Sequence, residues 1–199
     1  QVFAGGNSGF NEVWWFYCSE YSTVIDKYVV YNYLDQVWYS GTMGRTAWLD
    51  SKLRLYPLAA TYSNLLAYHE KGNDDNLTGI PNPITASVTS GHIELADGNF
   101  GFMWRLFPDL VFAGSSAANP VITFGVTPYK TAGDGGVNPA SVGGNSMAVS
   151  TRMVEIPIET FTGQLNLRIR GRHMTLSVTS SSIGIAWRLG DTRIDVSFD

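Results

Sequence analysis

Apolar residues alternate with polar ones along much of the chain, and no segment joins a helical apolar stripe to helix start and stop signals. The alternation is clearest in the last third. Residues 153–158 (MVEIPI) alternate, residues 165–169 put Leu165, Leu167 and Ile169 on one face, and residues 174–178 repeat the device. Arg170-Gly171-Arg172 reads as a hairpin turn between the last two runs. Residues 183–189 and 193–198 read as a final pair around Gly190-Asp191. Arg168 and Arg170 then share the outward face, with Arg188 a further candidate for it.

The first third has a different texture. Residues 12–17 (EVWWFY) and 28–33 (YVVYNY) are dense in the aromatic and β-branched types that suit a pleated sheet. Polar residues 19–27 link them, and Leu34-Asp35-Gln36 forms a turn before Val37-Trp38-Tyr39. Further strands are predicted at 45–49, 55–61 and 64–69, the last two as a hairpin around Tyr62-Ser63. Residues 4–9 (AGGNSG) read as turn. This meander resembles β-propeller blades of four antiparallel strands. At roughly 40–50 residues per blade, it holds about one and a half, too few to close a ring.

The expected fold is therefore all-β: a partial propeller over 1–75, a linker over 76–91, and an antiparallel sandwich or barrel-like domain over 92–199. Pro81 and Pro83 mark the linker. Within the last domain, strands are expected at 92–95, 100–106 and 120–127, with Asp97-Gly98 a turn. The segment 131–146 carries five glycines and no apolar periodicity, so it is either mobile or ordered only by a partner.

Composition adds constraints. The chain has 199 residues, 44% hydrophobic and only 15% charged, which suffices for a packed core and suggests a surface that meets other protein. The net charge of −4 provides no global field for nucleic acid. It is unevenly spread: residues 150–199 hold six Arg, no Lys and five acids, so the tail selects Arg without being basic. A single cysteine, Cys18, excludes an internal disulfide framework. No apolar run is long enough for a membrane-spanning helix, so no membrane insertion is expected.

Candidate chemistry is sparse. His69, His92 and His173 are isolated in sequence, without metal-ligand spacing, so no metal or cofactor site is expected. Asn73-Asp74-Asp75-Asn76 lacks the spacing of a calcium loop. Neither a nucleophile elbow nor a phosphate loop occurs. Asp26, Asp35 and Asp50, the acids weighed for a glycosidase pair, fall in turns or strand ends. No catalytic residue is assigned and no enzyme is expected. Trp14 and Trp15 must face opposite sides of their strand, one into the core and the other towards a neighbouring blade, subunit or ligand. With Arg168, Arg170 and Arg172, they are the candidate inter-domain or inter-subunit contacts.

Several phrases in order carry a family likeness. Residues 11–17 (NEVWWFY), 26–33 (DKYVVYNY), 38–41 (WYSG) and 45–48 (RTAW) are similar to the propeller portion of tail nozzle proteins of short-tailed bacteriophages, also called tail hub, tail accessory or tubular proteins. Residues 69–75 (HEKGNDD), 105–109 (RLFPD), 168–174 (RIRGRHM), 187–190 (WRLG) and 193–196 (RIDV) resemble their tail end. The resemblance implies the C-terminal part of a longer protein, in keeping with the start at Gln1 and the unclosed propeller. It further implies a virion protein in a homo-oligomeric ring, hexameric, below the portal and adaptor, contacting tail fibre or needle proteins. Phage DNA would pass through it without sequence-specific binding. The alternative is a carbohydrate-binding module or adhesin that stacks sugars on exposed Trp and Tyr.

Overall fold

A computed structural model describes residues 1–51, 53–130, 154–160 and 162–198. It is all-β: every regular element among those residues is a strand, and the strands form several antiparallel sheets. No closed barrel or propeller ring occurs among the described residues. The chain divides into two compact units, Gln1–Gly72 and Asn73–Asp199. The division falls inside the turn-rich loop 71–76.

In the first unit, β1 (Val2–Asn7), β2 (Glu12–Tyr17), β3 (Lys27–Asn32) and β4 (Val37–Thr42) form a four-stranded meander in chain order. β5 (Ala47–Leu49), β6 (Leu58–Ala60) and β7 (Leu66–Tyr68) form a second, three-stranded one. Tight turns join the strands. The Asn32 side-chain oxygen accepts the backbone N–H groups of Leu34 and Asp35, and Gln36 closes that turn with φ 57°.

β1 corrects the reading of residues 4–9 as turn. Its glycines permit close approach rather than a bend. A methyl at Gly5 would collide with Trp48 Cδ1 and lie 2.7 Å from Cγ, and the Trp48 indole donates to Gly6 O at 2.7 Å. Trp48 can rest on β1 only because that strand has no side chain at position 5.

In the second unit, β8 (Asp74–Asp75) pairs with β9 (Asn82–Pro83). There follow β10 (Ala86–Thr89), β11 (Ile93–Glu94), β12 (Gly101–Phe107), β13 (Leu110–Val111), β14 (Val121–Tyr129), β15 (Val154–Glu159), β16 (Leu165–Gly171), β17 (His173–Ser180), β18 (Arg188–Leu189) and β19 (Arg193–Phe198). One sheet runs β10-β17-β14-β15, with β11 also on β17; a second runs β16-β12-β19; a third pairs β13 with β18. One buried cluster draws on the first two sheets. Met103, Leu106, Leu167 and Ile169 come from β12 and β16, while Ile122, Phe124, Val126, Ile158, Met174 and Val178 come from β14, β15 and β17. Burial of each such side chain contributes roughly 1.5–3 kcal/mol.

Three further expectations change. Residues 170–172 are not a hairpin turn, because β16 and β17 belong to different sheets. The chain switches sheets there, and a Cβ at Gly171 would sit 3.0 Å from His173 O and 3.2 Å from Tyr129 O. Only a residue without a side chain fits that corner undisturbed. Likewise β18 and β19 do not pair with each other: β18 joins β13, and β19 joins β12. The span 76–91, expected as linker, supplies β9 and β10, and β10 is a full member of the five-stranded sheet. The glycine-rich segment 131–146 lies outside the described residues.

Gly5 and Gly6 give a paired test. Gly5→Ala must displace Trp48 and is expected to destabilise the first unit by about 1–3 kcal/mol. Gly6→Ala meets no atom within 4 Å and should be neutral within about 1 kcal/mol. Denaturant unfolding followed by tryptophan emission reads both; equal effects would contradict the packing.

Candidate functional site

Strand alternation gives the β1–β4 sheet two distinct faces. On one, Glu12, Trp14 and Phe16 of β2 are buried in succession. The register sets Asn7 beside Glu12, and Gly5, Trp14, Val30 and Tyr39 in a row across the four strands. The Trp14 ring stacks on Tyr28 (4.8 Å), Trp48 (5.1 Å) and Phe16 (5.8 Å), with Tyr39 edge-on at 6.2 Å.

Within this aromatic packing lies a carboxylate. Glu12 is 8% exposed, and its Oε2 accepts Asn7 Nδ2 and Trp14 Nε1, both at 3.0 Å. Its Oε1 accepts the Tyr39 hydroxyl at 2.6 Å. Asn7, 1% exposed, also donates from Nδ2 to Glu70 Oε1 at 3.1 Å. The two carboxylates therefore approach within about 6 Å of each other through one amide nitrogen. Glu70 sits at φ 59° in the chain that follows β7, an exposed residue whose carboxyl reaches Asn7.

The electrostatics follow from that placement. Loss of water and then the Glu12 charge push the Glu70 carboxyl above the ordinary range, and the Asn7 bond opposes them. Loss of water, then the bond to Glu12, raises the Tyr39 phenol well above its usual value, so it remains a donor. Tyr28 is raised by burial first and by Glu70 and Glu12 after. Two carboxylates this close are also the raw material of acid–base pairs. Here, however, both Glu12 oxygens are committed to donors. Two open hollows, of about 310 Å³ beside Phe3 and Ile25 and about 460 Å³ beside Leu110 and Phe112, are lined by neither glutamate. The arrangement is a clamp: Asn7 ties the β1–β2 hairpin to the chain end after β7.

The opposite face carries Trp15, half-buried, stacked on Trp38 at 5.7 Å, and Tyr31 on Trp38 at 4.5 Å. Trp38 is 62% exposed. Of the two adjacent tryptophans, Trp14 is thus core and Trp15 belongs to this outer aromatic row.

In the second unit, Arg168 and Arg170 are exposed on β16, alternating with buried Leu167 and Ile169. The Arg170 and Arg172 guanidinium groups both lie over the Phe100 ring, at 4.8 and 5.0 Å. Arg188 is on β18, away from that sheet. His92 and His173, distant in sequence, have ring centroids 6.2 Å apart, with Tyr129 at 4.7 Å from His92. Among the described residues no three His, Cys, Asp or Glu side chains gather as metal ligands. The 73–76 run serves the local fold: Asn73 donates to Gly114 O at 2.7 Å, and Asp74 accepts from Gly184 N at 2.7 Å. Asp26 likewise closes a loop, accepting the Ser19 N–H and hydroxyl at 2.7 and 2.6 Å.

Glu12, Asn7 and Glu70 were not among the sequence candidates. Glu12 was legible nonetheless, because it stands at the same parity as Trp14 and Phe16, so a buried Trp14 implies a buried carboxylate. Glu70 carried no such signal. No family model matches the chain, and no curated protein sequence matches it either.

The clamp predicts a pH dependence. A carboxyl raised in the folded state binds its proton more tightly there than in the unfolded chain, so its contribution favours folding as pH falls through the folded value. As pH falls through that raised folded value the first unit should therefore gain stability from Glu70. Asp26, held below its ordinary value, contributes with the opposite sign only at more acidic pH. Glu70→Gln should raise stability at neutral pH and flatten this slope in thermal melts. Persistence of the full slope in the variant would contradict the assignment.

Proposed function

We propose that the chain is a structural subunit of a short-tailed phage tail: part of a nozzle or hub ring, hexameric, beneath portal and adaptor, lining the conduit for DNA ejection. On this reading it works mechanically, without catalysis, contacting the adaptor and the fibre or needle proteins. Its first unit supplies blade strands of a propeller, and its second an antiparallel sandwich or barrel-like domain. The family likeness of the quoted phrases suggests the assembly.

One observation carries the reading. The β1–β4 meander carries packed aromatic rings on both faces, with Trp14 on one and Trp15, Tyr31 and Trp38 on the other. A sheet with one solvated face alternates apolar with polar residues, whereas a blade stacked between neighbours needs two packing faces. A second reading, glycan binding, is favoured by the exposure of Trp38 at 62%, since flat exposed rings stack on sugars.

Electron microscopy of the purified chain, incubated with its neighbouring tail proteins, separates the two. The structural reading predicts sixfold rings, and Trp38→Asp should lower the assembled fraction about tenfold or more without loss of strand content. A monomer that saturably binds glycans through Trp38 would contradict it.

A further inference from the structure

We propose that β4 pairs, antiparallel, with β4 of a second copy of the chain, through the edge that it leaves open in the first unit. The ladders show which backbone groups are spare. Met43 N–H donates to Asp26 O at 2.9 Å, one step beyond the Lys27–Thr42 pair. The bonded pairs of β3 and β4 are therefore Tyr28–Gly41, Val30–Tyr39 and Asn32–Val37. Tyr33 N–H donates to Asn11 O at 3.0 Å, which assigns the odd residues of β3 to β2 and its even residues to β4, in agreement. Trp38, Ser40 and Thr42 thus turn their N–H and C=O groups away from β3. Nothing among the described residues answers those groups.

Open strand edges are normally protected by charge, proline or a cap. Among the described residues, every other sheet edge of comparable length has such protection. β1 is capped: Gly6 O accepts Trp48 Nε1, and just past the strand Ser8 N–H donates to Asp50 Oδ2, both at 2.7 Å. β15 carries Glu155, Pro157 and Glu159, β16 carries Arg168 and Arg170, and β19 carries Arg193 and Asp195. β4 (VWYSGT) has none of these devices, and its Val37, Trp38 and Tyr39 are all exposed. Its occupant must be an uncharged strand with spare groups at every second residue, and β4 of another copy is such a strand. Antiparallel pairing centred on Ser40 sets Ser40 against Ser40 and Trp38 against Thr42, so each spare group meets a spare group. No charge faces another across this seam, and Trp38 packs against Thr42 on the outer side. A two-fold contact of this kind closes on two copies. It goes beyond the ring reading and does not rest on it, because backbone pairing leaves the Trp15 and Tyr31 rings uncovered for face packing.

Sedimentation of the purified full chain, with circular dichroism to follow the fold, tests the seam. The wild type should be a dimer. Ser40→Lys and Ser40→Asp each bring like charges together at the two-fold and should weaken pairing about tenfold or more, while an equal mixture of the two should pair again. Since only folded chains can pair on mixing, the mixture separates a lost contact from a lost fold. Ser40→Pro removes only an outward N–H, a change that a strand edge tolerates, and should also weaken pairing. Ser40→Ala should change nothing. A monomeric wild type, or a dimer indifferent to the charged and proline variants, would overturn the seam and leave the ring reading standing. Charged variants that stay apart on mixing would overturn it too, as would a chain that is monomeric alone and adds β4 to a strand of a different tail protein. Dimers that form no rings with the neighbouring tail proteins would support the seam and contradict the ring.

Discussion

The first unit depends on burying Trp14 and Glu12 together. An indole N–H and a carboxylate cannot leave water without partners, because an unanswered buried polar group costs on the order of 1–3 kcal/mol, and a charge costs more. Here each answers the other, and Asn7 and Tyr39 complete the set. Every group in that network comes from a different place: β1, two alternate positions of β2, and β4. The Asn7 bond needs the β1–β2 register and the Tyr39 bond those of β2–β3 and β3–β4, so the complete network forms only when three strand pairings are correct at once. Asn7 extends the same network to Glu70, so the polar centre also fixes where the chain goes after the second small sheet. Trp48 closes the aromatic side by resting on Gly5, which makes the absence of a side chain on β1 part of the same constraint.

Function in this account follows from faces rather than from a cleft. The inner face of the four-stranded sheet is satisfied internally. The outer face carries Trp15, Tyr31 and the exposed Trp38, and the face of β16, β12 and β19 carries Arg105, Arg168, Arg170 and Arg193. One is mainly aromatic, with Lys27 at the end of β3 on the same side; the other is rich in arginine, with Arg105, Arg170 and Arg193 over aromatic rings. Such surfaces suit a subunit that meets neighbours on more than one side, which is what the resemblance to tail nozzle proteins implies.

Strand positions were largely legible in the sequence because period two is a local property. The bounds of β2 follow from its aromatic and β-branched composition, and the pattern on β16, where Leu167 and Ile169 are buried beside exposed arginines, follows directly from alternation. Partners were not legible. Residues 170–172 and 190–191 look like hairpin turns locally, yet each leads the chain to a strand of another sheet, a choice made by the shared core of β12, β14, β16 and β17. β1 was hidden because glycine signals both a turn and a close approach, and only Trp48, some forty residues on, decides between them. Glu12 could have been found from its parity with Trp14. Glu70 and the Asp195–Arg105 pair depend on long-range contacts that no local pattern encodes.

The central claim is that the outer aromatic face of β1–β4 is a packing face. Oxidative footprinting of tryptophans, read by mass spectrometry on the assembled and the dissociated protein, addresses it most directly. Trp14 should be protected in both states, while Trp38 should be reactive when dissociated and protected when assembled. Trp38 equally reactive in both states would contradict the account.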